Sequence, residues 1–598
     1  MHRHQDVFIS PKATRATDVG EPVILFAQVN TGYCHPRLGP ARYASCSLAI
    51  GDDMKHLKDF ANCYGVFAFV VLCNGYWLFR GLNGEGYSLH LLWAMPLLLL
   101  GVWDLLQERH TLMRNYPLLG HIRWLFEESR PYLRQYIVEG NLSGRPFNRH
   151  QRSLVYQRAK NVVDAQPLGT ELDVYDDSYE FMNNSIGAGR IEASDLRTTV
   201  GSRQCDRPYN ASLLNISAMS FGALGHRAIE ALNMGAARGN FYHDTGEGGI
   251  SRYHRNHGGD LVWEIGTGYF GCRDKQGRFD VAQFEDQARS DQVKMVEIKL
   301  SQGAKPGHGG VLPGAKVTPE IAAARHIPAA RDCISPPAHS AFSSPLELLD
   351  FAALLRERSG GKPVGIKLCV GLPWELLSIC KAMLESGIRL DYIVVDGSEG
   401  GTGAAPEEFS DHVGMPLRDG LVMVRNALVG TGLRKEVHIA ASGKIHSAFT
   451  MAANLALGAD WCNAARPFMF ALGCVQSKNC HTDRCPTGVA TQDLKRQRGL
   501  VVVDKAERVT HFHHNTLKRL GELVGAAGLA HPSELRPHHL YHRQGPNALA
   551  NMEKIKDFLA PNILLDDPDS TPYGEWWAAA RTDTFKPDFE TGPSHHRS

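Results

Sequence analysis

PVGIKLCVGLPWELLSICKAMLESGIRLDYIVVDG (363–397) reads as a strand, a helix and a second strand. PVGIKLCV is a short, nearly continuous apolar run, WELLSICKAMLESG repeats its apolar residues at helical spacing, and YIVVDG returns to a β-branched run that ends in a glycine. Strands alternating with helices in this way build a parallel sheet. Working outward, the same alternation yields eight strands: LLNISAMS (213–220), FYHDTG (241–246), MVEIKLS (295–301), RDCISPP (331–337), PVGIKLCV (363–370), YIVVDG (392–397), VHIAASG (437–443) and DWCNAAR (460–466). The pattern predicts an α/β fold, a closed (β/α)8 TIM barrel with its functional groups at the C-terminal ends of the strands. The long interval between the second and third of these segments is expected to hold an excursion from the barrel.

The 598 residues are 43% hydrophobic and 21% charged, enough for one large core with appendages. Lys and Arg number 64 against 63 Asp and Glu, so no net field favours nucleic acid, which is excluded as a partner. Thirteen Cys in so long a chain do not form a disulfide scaffold, and three of them in one Gly- and Pro-punctuated segment point to reduced thiols and a metal site.

Residues 1–53 show no periodicity and are expected to be an unstructured extension; translation is expected to begin at Met54. Two apolar stretches follow, at 61–79 and 89–106, each near the ~20 residues that a spanning helix needs. They predict an N-terminal transmembrane helical hairpin at 54–110, with a buried hairpin as the alternative and with Asn74 and Asp104 as residues that weaken the case. Lys55 and Lys58 precede the first stretch, Arg109, Arg114 and Arg123 follow the second, and only Arg80 lies between, so both ends are expected in the cytoplasm and the chain on a lipid bilayer. The remaining divisions are an amphipathic helical linker at 111–184, the barrel at 185–495, a helical region at 496–560 and an extended tail at 561–598.

Three groups of residues carry chemistry. Cys474, Cys480 and Cys485 lie in GCVQSKNCHTDRCPTGVATQD, just past the eighth strand; three nearby thiolates suit an iron-sulfur cluster, and zinc, completed by His481, is the competitor. Glycine-rich turns end three strands: GSEGGTGAAP (397–406), SGK (442–444) and NAAR (463–466). They suit a phosphate-bearing cofactor, with Lys444 and Arg466 adding charge, or else they serve only tight packing. EIKLSQGAKPGHGGVLPG (297–314) is a strand that leads into a loop with Lys299, Gln302, Lys305 and His308, a set fit to hold a small dicarboxylate; Lys367 ends the fifth strand on the same face.

The segments SAMSFGAL, DTGEGG, IKLSQGAKPGHGG, GGTGAAP and CHTDRCPTGVATQD occur in the order found in the FMN-binding domain of glutamate synthases, and over roughly 185–495 the chain resembles that family, above all its short archaeal-like members. The resemblance implies FMN held by Ser217, Met219, Ser220, Lys367, Gly400, Gly401, Thr402, Gly403, Ser442, Gly443 and Arg466, and a 3Fe-4S cluster on Cys474, Cys480 and Cys485. It also implies catalysis by Lys299, Lys305 and Glu247, and substrate binding by Gln302, Lys305, Arg325 and His308. The activity implied is reductive amination of 2-oxoglutarate, or a related oxo acid, to the amino acid. Ammonia and electrons would come from elsewhere, because the chain shows no amidotransferase cysteine and no G-x-G-x-x-G turn; an amidotransferase or reductase subunit and a further electron donor are the implied partners. His308 stands where the family commonly has Glu, and Val311 where Gln is frequent, so a related amino acid or N-substituted glutamate is the alternative substrate. A membrane-bound electron relay is the alternative outside catalysis.

Overall fold

The computed structural model describes residues 48–86, 89–545 and 547–589, and divides the chain into two units, 1–128 and 129–598. Most of the expected disordered extension, residues 1–47, lies outside the described residues. Helix begins at Leu48, inside the stretch read as unstructured.

The second unit is built on a closed barrel of eight parallel strands: β1 (Leu214–Ile216), β2 (His243–Asp244), β3 (Leu261–Ile265), β4 (Val293–Lys299), β5 (Val364–Leu368), β6 (Tyr392–Asp396), β7 (His438–Ser442) and β8 (Trp461–Ala464). Each pairs with its sequence neighbours, and β8 closes on β1 through Cys462 opposite Leu214. Small residues at facing positions make room for rings. A Cβ on Gly365 would lie 2.5 Å from the ring of Tyr392, and Tyr392 packs on Trp461 with centroids 5.8 Å apart. The one polar atom of the buried Trp461 ring is satisfied by the Tyr242 hydroxyl at 2.8 Å, and that hydroxyl donates to Asn463 Oδ1 at 2.6 Å. Burying such a ring stabilises the fold by about 2–3 kcal/mol.

Eight strands were expected and eight are present, but not the same eight. LVWEI (261–265) is β3, which the sequence reading left inside an excursion, whereas 331–337 is not in the barrel: Cys333–Ile334 pairs antiparallel with Val311–Leu312 in a separate two-stranded ribbon. The excursion instead separates β4 from β5. β3 carries one inward charge, Glu264, that is 1% exposed, as β5 carries Lys367; inside a barrel of this size a charge is tolerated where a partner meets it. Cys333–Ile334 misled because a β-branched residue between turns looks the same in a ribbon as in a barrel strand.

At the N-terminal end of the barrel an antiparallel hairpin, Arg197–Val200 with Tyr209–Ser212, runs directly into β1. At its flank the helix Val502–Ala526 packs on His226–Gly239, so closely that a Cβ on Gly235 would lie 2.4 Å from Val509. The expected extended tail is corrected as far as residue 589. Short helices Ile563–Asp566 and Gly574–Ala579 bury Leu564 and Ala579, the Ala580 carbonyl accepts from Lys381 Nζ at 2.9 Å, and the Arg581 amide donates to Ser378 Oγ at 3.1 Å. Tyr573, Trp576 and Trp577 supply the apolar surface that an extended tail would waste.

Among the described residues of the first unit, one helix is long and apolar enough to cross a membrane, Lys58–Gly84 with mean hydropathy 1.4, within Leu48–Arg80 and the turn that follows it. The second apolar stretch forms Leu91–Leu106, 16 residues interrupted by Pro96 and shorter than a span, so one such helix stands where two were expected. Asn74 and Asp104 are both accommodated between the helices. Asn74 Nδ2 donates to the carbonyls of Val70 (2.9 Å) and Ala94 (2.8 Å), and Asp104 accepts from the Leu118 amide at 2.9 Å and lies 2.8 Å from His121 Nε2.

Candidate active site

β4 supplies two inward groups, Glu297 and Lys299, because residues two apart on a strand share a face. Register sets Lys299 beside Lys367 of β5 and Glu297 beside Glu264 of β3. The barrel interior is thus an ionic cluster. Lys367 contacts Glu264 and lies 3.2 Å from Glu297, and Lys299 lies 3.9 Å from Glu264. Asp244, from β2, completes it. Burial pushes Glu297 far above the usual carboxylate range, and the neighbouring Asp244 and Asp396 push it further, against the pull of Lys299. Burial raises Asp244 as well.

At the mouth, Lys299 Nζ donates to Glu247 Oε2 and to Gln302 Oε1, both at 3.0 Å. Glu247 stands on the turn after β2, where Gly246 takes φ +63° and a Cβ would come 2.7 Å from the Ser220 amide. Burial pushes the Glu247 carboxyl up, but Lys299, Arg325 and Lys305 outweigh it, and the net shift is downward. Glu247 is an anion among three cations. Lys305 is buried, with its pKa lowered by that burial, raised by Glu247 and lowered again by Lys299. Arg325, from helix Pro319–Arg325, donates to Ser220 Oγ (3.3 Å) and to the Phe221 carbonyl (3.2 Å), with its guanidinium over the Phe270 ring. The loop is held down by close backbone contact: a Cβ on Gly310 would lie 2.1 Å from Glu247 Oε1, and one on Gly303 would lie 1.8 Å from the Gly397 carbonyl. His308 turns aside, with Nδ1 2.8 Å from the Gly309 carbonyl and its ring on Phe409. Lys299, Glu247, Gln302, Lys305 and Arg325 therefore form one electropositive group at the C-terminal end of the barrel, able to hold an anionic substrate and to move a proton through Glu247.

With this geometry in place, the profile of a conserved region in glutamate synthase matches residues 182–530, more than half of the chain. The chain belongs to the glutamate synthase family. It is 36% identical over 506 residues to the glutamate synthase large subunit-like protein YerD of Bacillus subtilis (strain 168), covering 77% of this chain and 96% of that protein. It is 33% identical over 360 residues to the archaeal glutamate synthase [NADPH] of Methanocaldococcus jannaschii, covering 60% of this chain and 66% of that one. The archaeal-type glutamate synthase [NADPH] of Thermotoga maritima is 32% identical over 321 residues, 54% of this chain and 60% of its own length.

Against that family background the cofactor expectations need correction. Among the described residues, the group of three metal-type ligands whose donor atoms lie within 4.8 Å of one another is Asp244, Glu264 and Glu297, all carboxylates. The cysteines expected to carry a 3Fe-4S cluster do not form such a group. Cys474 and Cys485 bond locally: Cys474 Sγ accepts from the Gln476 amide at 3.5 Å, and Cys485 Sγ lies 3.5 Å from Thr487 Oγ1. Burial pushes the Cys474 thiol up to about 12 and raises Cys480. Burial raises Cys485 too, but the amides of Ala490, Thr487 and Val489 and the Thr487 hydroxyl outweigh it, and its pKa falls.

The FMN expectation meets the same difficulty, since no FMN site is located among the described residues. Lys367 is engaged by Glu264 and Glu297, the Ser217 and Ser442 hydroxyls lie 3.3 Å apart, and Arg466 donates to the Glu399 carbonyl at 2.5 Å with its guanidinium over Phe147. Burial lowers Arg466 to about 10. Gly401 abuts that arginine, with a Cβ there falling 2.8 Å from its side chain, and Gly397 abuts Leu417 at 2.5 Å. These contacts match the tight-packing explanation of the glycines. Met219 is buried, and Gly400, Thr402, Gly403 and Gly443 line neither of two cavities of about 490 and 300 Å3.

Sequence reasoning missed Asp244, Glu264, Glu297 and His339. His339 Nε2 lies 2.9 Å from the Lys299 carbonyl and Nδ1 lies 3.1 Å from the Tyr269 hydroxyl, bracing the end of β4. Glu297 had a usable signal, standing two residues before Lys299 on the same strand. His339 had none.

Proposed function

We propose that this chain is an oxidoreductase of glutamate synthase type, acting on CH–NH2 groups, which aminates 2-oxoglutarate or a related oxo acid at C2 with ammonia supplied from elsewhere. The supporting observation is the Lys299 Nζ bridge to Glu247 and Gln302 at 3.0 Å, with Lys305 and Arg325 in the same electrostatic group at the barrel mouth. Lys305 and Arg325 hold the two carboxylates. Lys299 polarises the C2 oxygen as water leaves, and Glu247 passes the proton between ammonia and the departing oxygen. The reduction needs two electrons from a donor outside these residues, and the ammonia needs a source, so a reductase or amidotransferase subunit is the expected partner.

The helix Lys58–Gly84, together with Leu91–Leu106, anchors the chain in a lipid bilayer as a hairpin, and the Lys and Arg flanks put the catalytic unit on the cytoplasmic side. A second reading, a related or N-substituted amino acid as substrate, is favoured by Val311, which is apolar and 38% exposed on the substrate loop.

Lys305→Ala removes one charge-assisted contact of about 1.5–3 kcal/mol and weakens 2-oxoglutarate binding about ten- to a hundredfold. Isothermal titration calorimetry of wild type and variant measures it. Equal affinities would remove Lys305 from the substrate site, and no binding to either would shift the reading to another oxo acid or amino acid.

A further inference from the structure

A cavity of about 490 Å3 opens at the N-terminal end of the barrel, away from the Lys299 group. Its wall includes Val293, the first residue of β4, with Asp260 just before β3 and Lys362 just before β5. Lys299 ends β4, six residues on from Val293, so the two sites lie roughly 20 Å apart along the strand. The hairpin Arg197–Val200 with Tyr209–Ser212 forms the other wall.

Four cations, Arg197, Arg207, Lys294 and Lys362, face this space against two carboxylates, and the carboxylates do not neutralise them. Asp260 is already engaged, accepting from the Tyr209 hydroxyl at 2.9 Å and lying 3.5 Å from Lys294 Nζ. Asp291 is 98% exposed and stands 4.0 Å from Arg207, beyond hydrogen-bond distance. Arg197 donates to the backbone carbonyls of Asn240 and Asn210, but its Nε is buried without a hydrogen-bond partner. Lys362 is 3% exposed; its ammonium donates to the Ala288 and Ser290 carbonyls at 2.5 and 2.7 Å, leaving a third N–H. Burial lowers Lys362 to about 8, Arg207 and Lys294 lower it further and Asp291 raises it, and with four cations against two carboxylates the wall keeps a surplus of positive charge that an anion would relieve.

We propose that this cavity binds a small polyanionic metabolite through carboxylate or phosphate oxygens, at a site separate from the substrate loop. A solvated basic surface would not hold an ammonium beneath the surface beside two other cations. The volume suits a metabolite larger than a single inorganic ion.

The test is isothermal titration calorimetry of the full chain with inorganic pyrophosphate and with citrate, on wild type, Arg207→Glu and Lys305→Ala. Arg207 is 59% exposed, so its reversal leaves the fold intact, which circular dichroism checks. Saturable one-to-one binding of at least one probe is expected, weakened about tenfold or more by Arg207→Glu and unchanged by Lys305→Ala. Pyrophosphate alone assigns phosphate chemistry, and citrate alone assigns carboxylate chemistry. The proposal is overturned if neither probe saturates by about 10 mM (roughly the weakest affinity a specific anion site shows), if Arg207→Glu binds as wild type does, or if Lys305→Ala abolishes the binding.

Discussion

The apolar helices of the first unit and the barrel of the second solve the same problem, a polar group among apolar ones, in opposite surroundings. In the first unit the polar atoms face inward and the apolar ones face out: Asn74 and Asp104 are buried, while Phe69, Leu72, Trp93 and Trp103 are 67%, 71%, 80% and 66% exposed. In the barrel, apolar layers enclose Asp244, Glu264, Glu297, Lys299 and Lys367. The first unit satisfies its polar groups chiefly with backbone, whereas the barrel uses opposite charges. A charge left without its partner in a dry interior costs more than a hydrogen bond lost there, so the two regions should respond differently to the same kind of substitution.

The largest effect is expected at Glu264. Glu264→Ala leaves Lys367 with only Glu297 and Lys299 without its 3.9 Å neighbour, and should destabilise the barrel by about 3–5 kcal/mol, read from the midpoint of chemical denaturation. Asp104→Ala is the counterpart in the first unit. It frees the Leu118 amide at a cost of about 1–3 kcal/mol, visible as faster hydrogen exchange at that amide. If the two losses were equal, the contrast between charge and backbone pairing would be broken.

Acid sharpens the contrast further. Burial pushes His243 and His513 down to about 3, and His339 and His446 to about 4. Their folded values lie below the unfolded value near 6.5, so the unfolded chain takes up protons first as pH falls. The stability they contribute is fully present above about 6.5 and is lost below it, at up to about 1.4 kcal/mol per pH unit for each histidine, until the folded value is reached. Denaturation midpoints measured between pH 7 and 5 should fall steadily, and a flat profile would contradict the buried neutral state.

The smallest effect concerns Asp164, which Arg519 and Arg158 lower to about 2 against the pull of burial. Its contribution is present above pH 4 and disappears as pH falls through 2. Asp164→Asn should therefore cost about 1 kcal/mol at pH 7, a figure reduced for solvent screening, and nothing near pH 2. Denaturation at the two pH values checks it.

Much of the barrel was legible in the sequence because a strand buried on both faces must be nearly continuously apolar. β5, β6, β7 and β8 were read at their true positions for that reason. An inward charge did not by itself hide a strand, since β5 was legible with Lys367 in it; β3 was missed and the ribbon strand Cys333–Ile334 filled its place in the count. In the site, the loop after β4 announced itself through Gly303, Lys305 and Gly310. The cysteine segment announced itself equally, yet Cys474 and Cys485 bond to local partners, and the grouped ligands are carboxylates from three different strands.

The sequence by itself determined the parallel α/β alternation, an apolar N-terminal region, membership of the glutamate synthase family and the position of the Lys299 loop, since each is a local pattern of residue types. The tertiary structure alone decided which charges meet. Asp244, Glu264, Glu297, Lys299 and Lys367 are spread over more than a hundred residues of chain, and only closure of the barrel and the register between its strands bring them within reach of one another. That closure also leaves the polar wall at the opposite end of the barrel, where Arg197 of the hairpin comes to face Lys362, 165 residues further along the chain.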